Sequence, residues 1–211
     1  MLHLPSFTWR GHSLAVAAAL TISTMCLVGC DEDDSACIVT AVHPFYTPQD
    51  LNTDDALTGV WQYDEEVTFA FTPTNDRSYK IVVEEDESGK HFSSQFEGHL
   101  FRLGPDLFLD LFPTSVPEGP EFYQLHFFGC HTAMKVDFPG DQLELKFVSP
   151  LWLAAQIKAG TVTIAHARSN EILLLTATTE DMQELLYLNA TDDNAFSDSL
   201  LFERVREEEE K

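Results

Sequence analysis

Basic residues are scarce in this chain. Its 211 residues set 12 Lys and Arg against 35 Asp and Glu, a formal net charge of −23. That balance argues against recognition of nucleic acid, whose phosphates need clustered cations. It argues equally against docking onto anionic lipid headgroups by charge. The bland consequence of so much acid is solubility and mutual repulsion. The strong catalytic patterns are missing as well. There is no Gly-x-Ser-x-Gly, no His-Glu-x-x-His, no phosphate-cradling glycine loop and no pair of Cys-x-x-Cys. No apolar run reaches the roughly 20 residues that a spanning helix needs. The composition is otherwise that of a globular protein, 44% hydrophobic and 11% aromatic with 16 Phe, and Phe favours strands.

The first apolar stretch is Ser13–Gly29. Arg10 is the only Lys or Arg before it, and small residues end it. A basic start, an apolar middle and small residues at the close read as an export signal. Leu27-Val28-Gly29-Cys30, the end of this stretch with the cysteine after it, resembles the lipobox of bacterial lipoproteins. The resemblance implies cleavage before Cys30 and fatty acylation of that cysteine. Each buried methylene contributes roughly 0.8 kcal/mol, and two chains anchor stably where one barely does. Residues 1–29 are therefore expected to be a lipoprotein signal peptide. The mature protein is expected in the cell envelope, facing periplasm or exterior and touching the membrane through acyl chains on Cys30. An ordinary signal peptide or an uncleaved anchor is the alternative. Of four cysteines, Cys26 leaves with the signal, and Cys37 and Cys130 remain as a candidate disulfide.

Residues 30–56 hold "DEDDSA" and "VHPFYTPQDLNTDD". Charge, Pro and Asn dominate without a sustained period, the pattern of a flexible tether. Strand signals then recur: "GVWQYDEE", "VTFAFTP", "SYKIVVEE", "KHFSSQFEGHLFRL", "DLFLDLF", "EFYQLHFF", "AMKVDF" and "QLELKFV", with turn residues between them. Tyr79, Ile81 and Val83 share a face, as do Leu143, Leu145 and Phe147. Leu107, Leu109 and Leu111 lie opposite Phe108, Asp110 and Phe112. One buried and one wet face is the signature of antiparallel sheet.

Two helices interrupt late. Ser149-Pro150 opens the first, with Ser as N-cap, and Gly160 stops it. Thr178–Asp181 offers a capping box for the second, with Met182, Leu185, Leu186 and Asn189 on one stripe. "TVTIAHA" and "ILLLTAT" lie between them as strands, joined by a turn at "RSNE", and "SLLFERV" closes the chain as another. Short strands with hairpin spacing predict a mostly β, antiparallel, closed or nearly closed barrel with two late helices, spanning residues 57–206. A β-sandwich is the alternative. Residues 207–211 read as a solvated acidic tail.

"LTGVW", with Gly59 and Trp61, resembles the Gly-x-Trp that opens the first barrel strand of lipocalins and related calycins. In that family a late-strand Arg lies across the Trp ring at the closed barrel end, and Arg204 is the position here that matches. A guanidinium over indole contributes roughly 0.5–2 kcal/mol. The chain departs from lipocalins in having two late helices with a hairpin between them. It also resembles bacterial lipoproteins of uncharacterised activity in which "HLFRLG…LFLDLFP" recurs.

Candidate chemistry is loose. His126, Cys130 and His131 in "HFFGCH" are a weak metal candidate, set against a disulfide cysteine with surface histidines. Glu97 and His99 share a strand face, and such a pair can do acid–base work, though a polar pair on a wet sheet is the commoner meaning. His166 reads as a polar strand residue. No cofactor is implied. Phe69, Phe71, Leu107, Leu109, Phe127 and Trp152 are the candidate lining of an apolar cavity, with Trp152 as core residue or gate. The expected function is non-enzymatic: an anchored barrel holding a small apolar ligand, or alternatively a filled barrel docking another envelope protein. An unrecognised enzyme on the same scaffold is the minor alternative.

Overall fold

The computed structural model describes residues 38–74, 76–115, 120–125, 127–169 and 172–206. Eight strands form a closed barrel: β2 (Gly59–Gln62), β3 (Val67–Pro73), β4 (Tyr79–Glu87), β5 (Lys90–Leu103), β6 (Asp106–Pro113), β7 (Thr132–Asp137), β8 (Gln142–Phe147) and β11 (Leu200–Arg204). Neighbours run antiparallel throughout. The barrel shuts because β11 pairs on both sides, Phe202 opposite Leu143 of β8 and Arg204 opposite Trp61 of β2. Closure leaves no unpaired barrel edge.

The period-two pattern puts Trp61, Phe71, Tyr79, Ile81, Leu109, Leu145 and Phe202 inside, where they form one buried cluster. The expected wet face does not hold for β6. Its interior residues are buried on both sides, because a second layer covers the outside of β5–β7. That layer comprises α2 (Pro150–Ala159), α3 (Thr179–Asn189) and a small sheet in the order β1-β10-β9. In it β1 (Ile38–Ala41) runs parallel to β10 (Ile172–Leu175), and β10 pairs antiparallel with β9 (His166–Ser169). Phe101, Phe108 and Ala133 on the barrel exterior pack with Val39, Leu153, Leu173, Met182 and Leu186 of the layer as a second buried cluster.

Both late helices start where the sequence indicates. The Ser149 hydroxyl accepts from Trp152 N at 3.3 Å and the Thr178 hydroxyl from Asp181 N at 3.2 Å. Each satisfies a helix-end donor worth about 1 kcal/mol. Met182, Leu185 and Leu186 are buried as the stripe on α3 requires. Lys135 of β7 donates to the Ala190 carbonyl at 2.6 Å, closing the far end of α3.

Three segments depart from the pattern. Residues 38–56 were expected within a tether, yet they supply β1 and the buried Phe45. Phe45 is buried in the cluster between barrel and cover. "EFYQLHFF" was expected as a strand, but its described part is a one-turn helix α1 (Glu121–Gln124) followed by irregular chain. Phe122, Leu125 and Phe128 are exposed there, so the apolar run was not a core signal. "TVTIAHA" becomes strand only from His166, and β9 continues through the expected turn at Arg168 and Ser169. The signal segment with Cys30, the acidic tail and Cys37 lie outside the described residues, as therefore does the Cys37–Cys130 pairing. Among the described residues no helix is long and apolar enough to cross a membrane.

Candidate functional site

The barrel interior is packed. Trp61 is 2% exposed and Leu109 and Ile81 are fully buried. Phe69 lies 5.1 Å from Phe202 and 6.1 Å from Phe71, centroid to centroid, within the range of favourable aromatic pairs. Gly98 of β5 shows how tight the packing is: a methyl there would stand 2.3 Å from Ile81 Cδ1. Phe69, Phe71, Leu107 and Leu109 thus fill the interior with one another. The other two candidate lining residues are elsewhere. Phe127 is exposed on the β6–β7 connection, and Trp152 packs in the outer layer against the second cluster. Sequence alone could not separate these sets, because Phe and Trp suit an inner wall, an outer layer or an exposed loop equally. Two clefts open to solvent at one barrel end. One, of about 200 Å³, is lined by Ala56, Trp61, Phe138 and Arg204. The other, of about 280 Å³, is lined by Asp54, Arg102, Asp106, Lys135 and Asp137.

At that end the guanidinium of Arg204 lies 4.1 Å from the Trp61 ring centroid. It also donates to the carbonyls of Ala56 and Thr58, while Trp61 Nε1 donates to Leu57 O at 2.9 Å. Gly59 makes this possible. Its φ is +122°, and a Cβ there would come 2.7 Å from Arg204 Nη1. Arg204→Ala removes the stacking and both carbonyl partners together. Its midpoint of chemical unfolding is expected to correspond to a loss of about 1–2 kcal/mol. A midpoint equal to wild type would show that the pairing contributes nothing to the barrel end.

The polar feature that sequence reasoning missed is Asp110, at 0% exposure on the outer face of β6. Its Oδ2 accepts from Phe45 N at 2.9 Å, and its Oδ1 lies 2.8 Å from His131 Nδ1. A ring proton on Nδ1 completes that pair. His131 lies against Phe112, 4.6 Å between centroids. Beside it Tyr46 stacks on His99 at 4.3 Å, and His99 Nε2 is 3.8 Å from Glu97 Oε1. Burial lowers the His99 pKa below its ordinary value against the opposing pull of Glu97 and Asp110. Burial, with Asp110 and Glu97, pushes Tyr46 up to about 12. The signal was present: one acid amid five apolar residues in "LFLDLF" has to find donors if its strand is covered.

This arrangement brings His131 and His99 beside one carboxylate, and burial with the charges of Asp110 and Glu97 keeps the proton on the Tyr46 phenol. The two hydrogen-bond partners of Asp110 fasten residues 45 and 131 to β6. Thr179 and Gln183 of α3 add bonds to Pro44 O and Phe45 O, at 2.7 and 3.0 Å. Gln183 also reaches Asp50 Oδ2 at 2.8 Å. The cluster therefore works as a clamp on residues 44–50. Of the metal candidate, His126 lies outside the described residues and His131 is engaged by Asp110. Among the described residues no three His, Cys, Asp or Glu side chains gather as a metal site. His166 Nδ1 sits 2.9 Å from Ile164 O, a local backbone contact.

The opposite barrel end is different in character. The β2–β3 turn carries Asp64, Glu65 and Glu66. The β4–β5 hairpin carries Glu84–Glu87, with His91 held 2.6 Å from Glu84 and 3.0 Å from Asp86. Asp86 N donates to Glu66 O at 2.8 Å, joining the two turns. The β6–β7 connection leaves from the same end, and Thr114 N bonds Gln95 O of the hairpin stem at 2.9 Å. On it Phe122 is 76%, Leu125 77% and Phe128 68% exposed. No protein-family model matches the chain, and neither a curated protein nor a solved structure matches it.

Proposed function

We propose that the protein is an exported, lipid-anchored envelope lipoprotein without enzymatic activity, whose filled barrel acts as a contact surface for another envelope protein. The observation that carries this reading is the packed interior at Gly98, Ile81 and Leu109 beside an exposed apolar connection. An eight-stranded barrel is at the size where side chains either just fill it or leave room for one ligand, and here the side chains fill it. Large exposed apolar groups, by contrast, mark interaction surfaces. Kinship with lipocalins belongs to the same proposal, supported by the closed eight-stranded barrel and the Trp61–Arg204 stack. The anchor is supported by Leu27-Val28-Gly29-Cys30 behind an apolar run.

Metabolic labelling with a fatty-acid analogue tests the anchor. Label is expected on the wild-type chain in the membrane fraction and essentially none on Cys30→Ser. Equal labelling of both would remove the lipoprotein reading.

A further inference from the structure

The end of the barrel that carries the long β6–β7 connection combines two features that rarely coincide by accident of packing. First, its apolar residues are held outward by local structure. Leu125 N bonds Glu121 O at 3.2 Å, and Phe127 N bonds Gln124 O at 3.1 Å. Gly129 sits so close to β6 that a Cβ would meet Phe112 Cζ at 2.8 Å. The connection is thus pinned to the barrel at its base while Phe122, Leu125 and Phe128 point away from it. Second, the flanking turns are acidic. Glu65, Glu66, Glu85, Asp86 and Glu87 are exposed there, with Lys90 and His91 as the basic residues between them. An apolar knob beside an acidic edge is repelled by an anionic bilayer. It complements a protein surface that has an apolar depression bordered by Lys or Arg.

We propose that this rim docks a cationic, apolar-faced protein segment, with Leu125 and Phe128 as the buried anchors and the two acidic turns steering the approach. The proposal rests on the docking reading above and assigns its place and partner chemistry. Anchors in such interfaces are large apolar or aromatic side chains at the centre, while rim charges act on encounter and salt dependence.

The test uses the full chain and a synthetic amphipathic Leu–Lys peptide as probe. Saturable binding is expected, weakened about tenfold in Leu125→Ser/Phe128→Ser. A similar weakening is expected in Glu65→Gln/Glu85→Gln. Glu180→Gln/Glu184→Gln on α3 changes the net charge equally at exposed positions of the outer layer rather than of the two acidic turns and is expected to leave binding as in wild type. Equal weakening by both charge pairs would mean attraction to overall charge and would overturn the site. So would a peptide affinity indifferent to Leu125 and Phe128. The fluorescence of Phe128→Trp in brominated phosphatidylcholine vesicles decides the remaining case: no quenching by the vesicles is expected, and strong quenching would assign the connection to lipid. Failure of these experiments moves or removes the rim, while the Cys30 labelling result stands separately.

Discussion

Asp110→Ala is expected to destabilise the protein by about 3 kcal/mol, visible as a shifted midpoint of urea unfolding. The substitution deletes the acceptor of Phe45 N and the partner of His131 Nδ1, 2.9 and 2.8 Å away, in a place that water does not reach. Leaving a buried donor without its partner costs about 1–3 kcal/mol, and more when the lost group carries charge. Asp110→Asn keeps the acceptor of Phe45 N and sets an amide N–H₂ against His131 Nδ1, which accepts it once the ring proton moves to Nε2, so a smaller loss than in Asp110→Ala is expected. Amide hydrogen exchange gives the local readout. Residues 44–50 are held by Asp110, Thr179 and Gln183, and their protection should fall first. If both variants unfold within about 0.5 kcal/mol of wild type, the buried carboxylate is not what fastens this segment.

Phe71→Ala is expected to cost about 3–5 kcal/mol, the range for removing a large aromatic from a core that cannot collapse. Phe71 is buried inside the barrel, 6.1 Å from Phe69 and 6.5 Å from Tyr79 between centroids. Rigid strands closed into a cylinder have little freedom to move inward, so the void persists. For a domain of this size the melting temperature should fall by roughly 2–4 °C per kcal/mol. A loss below about 1 kcal/mol would mean that the interior is already loose. Phe127, 42% exposed on the β6–β7 connection, is the same residue type in the opposite setting.

The contrast between Phe71 and Phe127 shows what could be read from sequence and what could not. Alternation in "SYKIVVEE" and "QLELKFV" is a local consequence of the β-pleat, so inner faces and the closed barrel were legible. So were the helix starts at Ser149 and Thr178, because a cap is decided within four residues. The Gly59, Trp61 and Arg204 group was legible only through resemblance, since Arg204 reaches the first barrel strand across more than a hundred residues. The cover on β5–β7 was not legible at all. It depends on where α2, α3 and β1 fold back, and alternation in a strand says nothing about what lies beyond its outer face. That one omission produced three errors: the wet outer face of β6, the free tether at 38–56, and the overlooked Asp110. Nor does an apolar run state its purpose. "EFYQLHFF" has the residue types of a strand, and only the closure of the barrel without it shows that its Phe122 and Phe128 are displayed.

The central claim is that the barrel is full and works by its surface. Native mass spectrometry of the full chain extracted from the membrane fraction tests it most directly. The account predicts the mass of the polypeptide with its covalent acyl groups and no other lipid held at one equivalent. One non-covalent lipid per chain, retained in Leu125→Ser/Phe128→Ser and displaced by filling the barrel with Leu109→Trp, would contradict it.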